Sequence, residues 1–267
     1  MKKIIATLMV AVLTLTMFTA CGKKERNPDA DSTTLNSGLR QPDFPSRKET
    51  KEFKNESGKV VYKVEYNVPE LKGEKYSEAS AAMFNNYIDQ TILAPAFDFA
   101  KINVKNVRDS ETEPRTIKIS YEIKYLSDTM LSVVFSTAYS SQNKFLNAKT
   151  FNLIEGTVIN AEEFFGADRD ATRAAVLEYF LPDAMNLVKK TEDMTAEQKE
   201  DIAKEKLAAA YDPANIYITD SYIAFVSNKS KFADGAGVGA GIHEFILDWN
   251  TGHVLGTIAN PEEIFAE

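Results

Sequence analysis

The sequence predicts an α+β fold with largely antiparallel sheets, packed helices and two linked subdomains. Segments in which apolar residues alternate with polar ones, such as 60–69 and 116–126, are typical of strands, and apolar residues recur at helical spacing over 76–101, 168–190 and 195–211. The two kinds of segment do not alternate strictly along the chain, which favours α+β over a parallel α/β sheet. The composition, 44% hydrophobic and 26% charged, is that of an ordinary globular chain.

The first half of the folded part is predicted to hold a strand, a long helix and three further strands. Val60–Pro69 alternates and stops at a proline, as a strand does. The helix over 76–101 contains Pro95, which should kink or end it because proline lacks a backbone N–H. The next strands are predicted at 116–126, 130–138 and 145–153, with Ile119, Tyr121, Ile123 and Tyr125 on one face of the first.

The second half is predicted to hold two helices and four strands. The helix over 168–190 should be interrupted at Pro182. The helix over 195–211 begins with Thr195 and has Gln198 three residues later, which is the pattern of a capping box. The strands are predicted at 216–219, 222–226, 242–249 and 253–257, with a hairpin turn at 250–252 between the last two.

The N-terminus has the features of an export signal followed by a lipid anchor. Lys2 and Lys3 precede an uncharged apolar run at 4–18, which fits a signal peptide and is short for a transmembrane helix. The run ends in a sequence that resembles a bacterial lipobox: Phe18, Thr19, Ala20, Cys21 and Gly22. The resemblance implies that residues 1–20 are removed and that Cys21 then carries a diacylglycerol group. We therefore predict that its acyl chains hold the protein on the extracytoplasmic side of a membrane, at the cell surface or facing a periplasm.

The remaining chain divides by composition. Residues 21–50 are polar and predicted to be a flexible tether, since they cannot bury enough apolar surface to fold. The folded part is predicted to consist of an N-terminal subdomain, 51–140, and a C-terminal subdomain, 141–267. Residues 51–267 contain 23 Lys and Arg against 34 Asp and Glu, a net charge of −11. This charge argues against a nucleic-acid partner, which requires a basic surface.

Two acidic pairs are the candidates for catalysis. Glu162-Glu163 and Glu262-Glu263 could supply the two carboxyl groups of a glycoside-cleaving enzyme, which would act on peptidoglycan or another polysaccharide. Each pair also follows an asparagine at the start of a predicted helical turn, where glutamates favour the positive helix end. We favour capping, and therefore expect no catalytic residues.

A glycine-rich stretch at 235–241 leads into a predicted strand, so it does not match a dinucleotide-binding loop, which opens a helix. A metal site formed by His243 and His253 with Glu244 or Asp248 is disfavoured because neighbouring strand residues point to opposite faces. We expect no metal and no cofactor.

Loops often serve binding, so the glycine-rich stretch at 235–241 is a candidate for partner contact. The candidate residues are Lys229, Lys231, Phe232, Gly235, Gly237 and Gly239.

The order of several motifs resembles a paired module of bacterial envelope proteins. Residues 61–71 with 84–88 resemble the DUF4163 type, and 151–156, 162–165 and 215–219 resemble the DUF3298 type. The pair occurs in the extracytoplasmic part of RsiV-type anti-sigma factors, which bind lysozyme. The resemblance implies a non-enzymatic sensor or binding module whose partner would be lysozyme, another wall-acting protein or a cell-wall component. The chain departs from the family pattern in two loops, 138–142 and 230–235.

Overall fold

The fold is known from a computed structural model, in which the described residues form nine strands in two sheets with helices packed beside them. All but one of the strand pairs are antiparallel. The α+β fold class predicted from the sequence is therefore confirmed. The residues that the structure describes are 44–108, 110–140, 143–165, 169–188, 194–227 and 243–248.

The larger sheet has six strands in the order in which they occur along the chain. Its single parallel pair joins β2 to β3, from Tyr62 opposite Arg115 to Tyr66 opposite Ile119. A parallel pair needs a long crossover, which the helices between the two strands supply. The strands are β1 (Ser46–Lys54), β2 (Val60–Pro69), β3 (Arg115–Leu126), β4 (Met130–Ser140), β5 (Asn143–Asn152) and β6 (Thr157–Ile159).

The crossover corresponds to the helix predicted over 76–101. It is α-helical at first, becomes a π-helix in its middle and is then α-helical again. Ser77 caps its start by accepting a hydrogen bond from the Ser80 N–H. Pro95 lies in the first turn of α2 and has no N–H to donate to the preceding turn, and the helix before it is widened to a π-helix. The segments are α1 (Glu78–Tyr87), a π-helix (Ile88–Leu93), α2 (Ala94–Asn103) and a 3-10 turn (Val104–Asn106).

Strand β1 was not predicted from the sequence. Its first residues, 46–50, lie inside the range 21–50 that was predicted to be a tether, and they pair with β2. The strand is polar and mostly exposed, so hydrogen bonding to β2, rather than burial of its own side chains, fixes it. Arg47 also forms an ion pair with Asp89 of the π-helix. Hydrophobic patterning could not detect a strand of this kind.

A β-bulge in β3 corrects a second expectation. The register with β4 shifts between Ile123 and Tyr125. Ile119, Tyr121 and Ile123 pack with the core between the large sheet and the crossover helices, whereas Tyr125 packs against the second core described below. The four residues therefore do not share one face, because a bulge inserts a residue and redirects the side chains after it.

The second part of the fold is a three-stranded sheet with helices. Thr195 and Gln198 form the predicted capping box at the start of α5. Pro182 lies inside α4 and does not interrupt it, contrary to the prediction, because buried residues on both sides of it, including Phe180 and Ala184, hold the helix in place. The elements are α3 (Ala161–Phe165), α4 (Arg169–Leu187), α5 (Ala196–Ala210), β7 (Ile216–Ile218), β8 (Tyr222–Ser227) and β9 (His243–Asp248).

The described residues form three apolar cores. One lies between the large sheet and the crossover helices, and a second lies among α3, α4, α5 and the small sheet. The third lies between the two sheets and joins residues of β4 and β5 to residues of β7 and β8. A polar contact joins the sheets: buried Ser132 accepts a hydrogen bond from the Ile218 N–H at 2.8 Å and contacts the Thr150 hydroxyl at 2.9 Å. Asn215 accepts a hydrogen bond from the Ala148 N–H at 2.8 Å. These side chains satisfy backbone groups that no strand partner reaches.

Strands β4 and β5 pair as a hairpin across the predicted boundary between 140 and 141, and the division into subdomains 51–140 and 141–267 stays a prediction. The predicted strand at 253–257 and turn at 250–252 lie outside the described residues. Among the described residues, no helix combines the length and the apolarity that crossing a bilayer requires.

Candidate binding cleft

Most of the residues predicted from the sequence to matter for function lie outside the described part of the chain. They are the lipobox, with Phe18, Thr19, Ala20, Cys21 and Gly22, and the loop residues Lys229, Lys231, Phe232, Gly235, Gly237 and Gly239. Their assignments therefore stay predictions.

One of the two acidic pairs can be placed, and it caps a helix. The Glu163 carboxylate accepts a hydrogen bond from the Asn160 N–H at 2.8 Å, which closes the first turn of α3. Glu162 is nearly buried, with 11% of its side chain exposed, and its carboxylate lies 3.8 Å from the Arg169 guanidinium. The geometry of Glu163 is that of a capping residue. Glu262 and Glu263 lie outside the described residues.

The residues considered for a metal site are only partly described. Glu244 accepts a hydrogen bond from the Tyr217 hydroxyl at 3.1 Å. Burial, followed by the negative charge of Glu244, raises the pKa of Tyr217. Within the described residues, no cluster of three His, Cys, Asp or Glu side chains could hold a metal ion. His253 lies outside these residues.

A cleft of about 390 Å³ lies between the crossover helices and the β4–β5 hairpin. We call it the aromatic cleft. Its volume lies within the range of small-molecule sites. It is lined by Thr91, Ile92, Pro95, Phe99, Thr137, Tyr139, Asn143, Phe145, Leu146 and Asn147.

Three aromatic rings form a row along the cleft. The ring centroids of Phe99 and Tyr139 lie 4.7 Å apart at an interplanar angle of 63°, and those of Tyr139 and Phe145 lie 5.8 Å apart at 87°. Phe99 and Phe145 are each 40% exposed. The edge-to-face contacts fix the rings relative to one another, because aromatic pairs favour this geometry. Part of the apolar surface of Phe99 and Phe145 remains open to a ligand.

Two features of the backbone place these side chains together. The register of β4 and β5 sets Thr137 opposite Phe145 and Phe135 opposite Asn147, so the paired residues lie on the same sheet face. On the helical wall, Thr91 and Ile92 come from the π-helix and Phe99 from α2. The winding change near Pro95 therefore lies within the cleft wall. Single turns of π-helix are frequent at functional sites.

The polar groups of the cleft are neutral. The described residues that line it have hydroxyl, amide and apolar side chains, and none of them is charged. The side-chain amides of Asn143 and Asn147 have no hydrogen-bond partner among the described residues, which leaves their donors and acceptors for a ligand. Burial raises the pKa of Tyr139, so its phenol is uncharged at neutral pH. The cleft therefore suits an uncharged ligand that has both an apolar face and hydrogen-bonding groups.

A wider depression of about 1160 Å³ lies beside the β1–β2 turn and the end of α2. Its lining mixes charges of both signs, including Lys54, Glu56, Asp98 and Lys101. It has no aromatic ring among its lining residues, so it offers less apolar surface to a ligand.

Sequence analysis did not single out the aromatic cleft. Its lining comes from segments near residues 91–99, 137–139 and 143–147, which only the tertiary fold brings together. One signal was present: the segment 138–142, which was predicted to be a loop, includes Tyr139 and precedes Asn143. The loop prediction was wrong for 138–140, which pair with β5 as the end of β4, and 141–142 lie outside the described residues. The departure of this segment from the family pattern pointed to the region but not to the aromatic rings.

No family model matches the chain, and no curated protein matches it. Similar folds occur among solved structures. A member of the DUF3298 family from Bacteroides fragilis is 13% identical, with a TM-score of 0.44, covering 84% of this chain and 98% of the other. A DUF3298 family protein from Pseudomonas aeruginosa is 9% identical, with a TM-score of 0.42, covering 83% of this chain and 96% of the other.

Proposed function

We propose that the protein is a lipid-anchored component of the bacterial cell envelope, and that its folded part is a non-enzymatic binding or sensor module outside the cytoplasm. The observation that supports the binding role is the aromatic cleft. Phe99 and Phe145 keep 40% of their surface exposed although neighbouring rings hold them in place. Exposed apolar surface grouped in a cleft is a common feature of binding sites.

The position in the envelope is supported by the N-terminal sequence. An apolar run ends at the only cysteine of the chain, Cys21, preceded by the small residues Thr19 and Ala20. Two acyl chains on this cysteine would give stable membrane attachment. Replacing Cys21 with Ala should abolish incorporation of labelled palmitate and release the protein from the membrane fraction. Retention of both by the variant would contradict the anchor.

The partner that we propose is a cell-wall component or a wall-acting protein such as lysozyme. Residues 51–267 carry a net charge of −11, which would favour association with a basic protein such as lysozyme. The interpretation of Glu162-Glu163 as a catalytic pair has less support, because the Glu163 carboxylate is engaged at a helix start.

The test is calorimetric titration of the chain from residue 22 to 267 with a c-type lysozyme, at low and physiological salt, and sedimentation with purified cell-wall sacculi. We expect saturable binding in at least one of the two experiments, and weaker lysozyme binding at the higher salt if charge drives it. Absence of binding in both would contradict the proposed function. A stable fold under the same conditions, checked by circular dichroism, is the control.

A further inference from the structure

We propose that the aromatic cleft binds a neutral sugar chain, of the N-acetylhexosamine type that forms wall glycan. The inference rests on the proposed function and specifies the ligand of its site.

The shape of the site matches the two-sided surface of a pyranose ring. Such a ring has a face of C–H groups and a rim of hydroxyl groups. The C–H face packs on aromatic rings, whose faces are electron-rich. Phe99 and Phe145 supply exposed rings, and Tyr139 lies between them within contact of both. A row of rings is suited to successive units of a chain.

The polar groups of the cleft match the rim of the sugar. Asn143 and Asn147 offer amide donors and acceptors, and Thr137 adds a hydroxyl. An N-acetyl group needs a donor for its carbonyl and an acceptor for its N–H, which a carboxamide side chain can supply together. None of the lining residues in the described part of the chain is charged, which favours a neutral ligand over a phosphate, a carboxylate or a basic peptide.

The size of the site favours a small unit of a chain over a folded protein. A stable protein interface buries about 800 Å² on each partner and involves roughly 20 to 30 residues a side. The cleft has ten lining residues and a volume of about 390 Å³. This suits a ligand that inserts a few sugar rings, and a protein partner would have to use a surface much larger than the cleft.

The experiment is calorimetric titration of the chain from residue 22 to 267 with soluble N-acetylglucosamine oligomers. Three variants are compared with the unmodified protein: Phe99→Ala, Phe145→Ala and Ile102→Ala. Ile102 is in the same helix as Phe99 and is 65% exposed, but does not line the cleft, so it is a matched control for loss of apolar surface. A fourth variant, Phe99→Tyr, keeps the aromatic face and should retain binding.

We expect saturable binding of the oligomers, weakened about tenfold by each loss of a ring and unchanged in Ile102→Ala. Thermal melts of every variant show whether each one is folded. Equal binding by all variants would overturn the inference, because the sugar would then bind elsewhere. Absence of oligomer binding would also overturn it. If lysozyme or sacculi still bind in that case, the proposed function stands without the sugar site, and if nothing binds, both fail.

Discussion

The ring centroids of Phe99 and Tyr139 lie 4.7 Å apart, although one residue is in a helix and the other is at the end of a strand 40 positions later. The contact joins the crossover helices to the β4–β5 hairpin within the lining of the aromatic cleft. It depends on the parallel pairing of β2 and β3, since that pairing sets where the crossover lies on the sheet. The fold therefore brings aromatic side chains from both walls of the cleft into contact.

The turn at Gly156 should be very sensitive to substitution. Its φ of +76° lies in the left-handed region, and a Cβ atom there would lie 2.9 Å from the carbonyl carbon of Ser80 and closer still to its oxygen. We expect Gly156→Ala to lower the free energy of unfolding by about 3 kcal/mol or more. Urea denaturation measures this.

Gly58 is the matched control for that prediction. Its φ is +82°, but no heavy atom lies within 4 Å of the position of a Cβ. Gly58→Ala should cost only the backbone strain, about 1 to 2 kcal/mol. Equal losses in the two variants would show that the contact with Ser80 does not matter.

The buried hydroxyl of Ser132 should stabilise the contact between the two sheets. It accepts the hydrogen bond of the Ile218 N–H, and Ser132→Ala would leave that donor buried without a partner. The expected loss of unfolding free energy is about 1 to 3 kcal/mol. Ser136→Ala, in the same strand but half-buried, should change it by less than about 0.5 kcal/mol. A loss at Ser132 no larger than at Ser136 would contradict this account.

The role of Glu163 is distinguished by two substitutions. Glu163→Ala removes the acceptor for the Asn160 N–H and should cost about 1 kcal/mol, whereas Glu163→Gln keeps an acceptor and should cost less. We expect neither the unmodified protein nor either variant to release sugars from sacculi. If the protein releases sugars and Glu163→Gln abolishes that release, the residue is catalytic and the capping account is incomplete.

Deprotonation of Tyr87 should contribute to a fall in the free energy of unfolding at alkaline pH. Burial raises the pKa of Tyr87 from 10.0 to about 12, so its phenol loses its proton earlier in the unfolded chain. The stabilisation from this residue is complete below pH 10 and is lost as the pH rises through about 12. Tyr87→Phe keeps the edge-to-face contact with Phe151, whose ring centroid lies 5.5 Å away, and removes the titrating group.

Urea denaturation of both proteins, below pH 10 and midway to pH 12, tests that prediction. The stability of the unmodified protein should fall relative to that of Tyr87→Phe across the interval. Other tyrosines and lysines titrate in both proteins, so the difference isolates Tyr87. A difference that stays constant with pH would mean that the pKa of Tyr87 is the same in the folded and unfolded chains.

The fold class could be predicted from the sequence because most strands and helices bury one face. Their apolar residues therefore recur at the spacing of a strand or of a helix. Val60–Pro69 was predicted with its observed limits, since its alternation ends at a proline. Strand β1 was missed because it buries little and depends on pairing with β2. The bulge at Ile123 and the passage of α4 through Pro182 depend on tertiary packing, which local pattern does not contain.

The aromatic cleft could not be predicted from the sequence, for a related reason. Phe99 and Phe145 each fit the pattern of a core residue in its own helix or strand, and only their 40% exposure in the fold distinguishes them. The glycine-rich stretch at 235–241 was predicted to contact a partner because its composition is typical of a loop. Composition can indicate a loop, but the meeting of distant side chains requires the fold.

We propose that this protein binds its ligand in the aromatic cleft. The most direct measurement is nuclear magnetic resonance of the chain from residue 22 to 267 with ¹³C-labelled phenylalanine and tyrosine, titrated with N-acetylglucosamine oligomers. We expect the ring signals of Phe99, Tyr139 and Phe145 to shift together and to saturate, while those of the buried Phe84 and Phe180 stay in place. Unchanged signals from the three cleft rings, or larger shifts at aromatic residues elsewhere, would contradict the account.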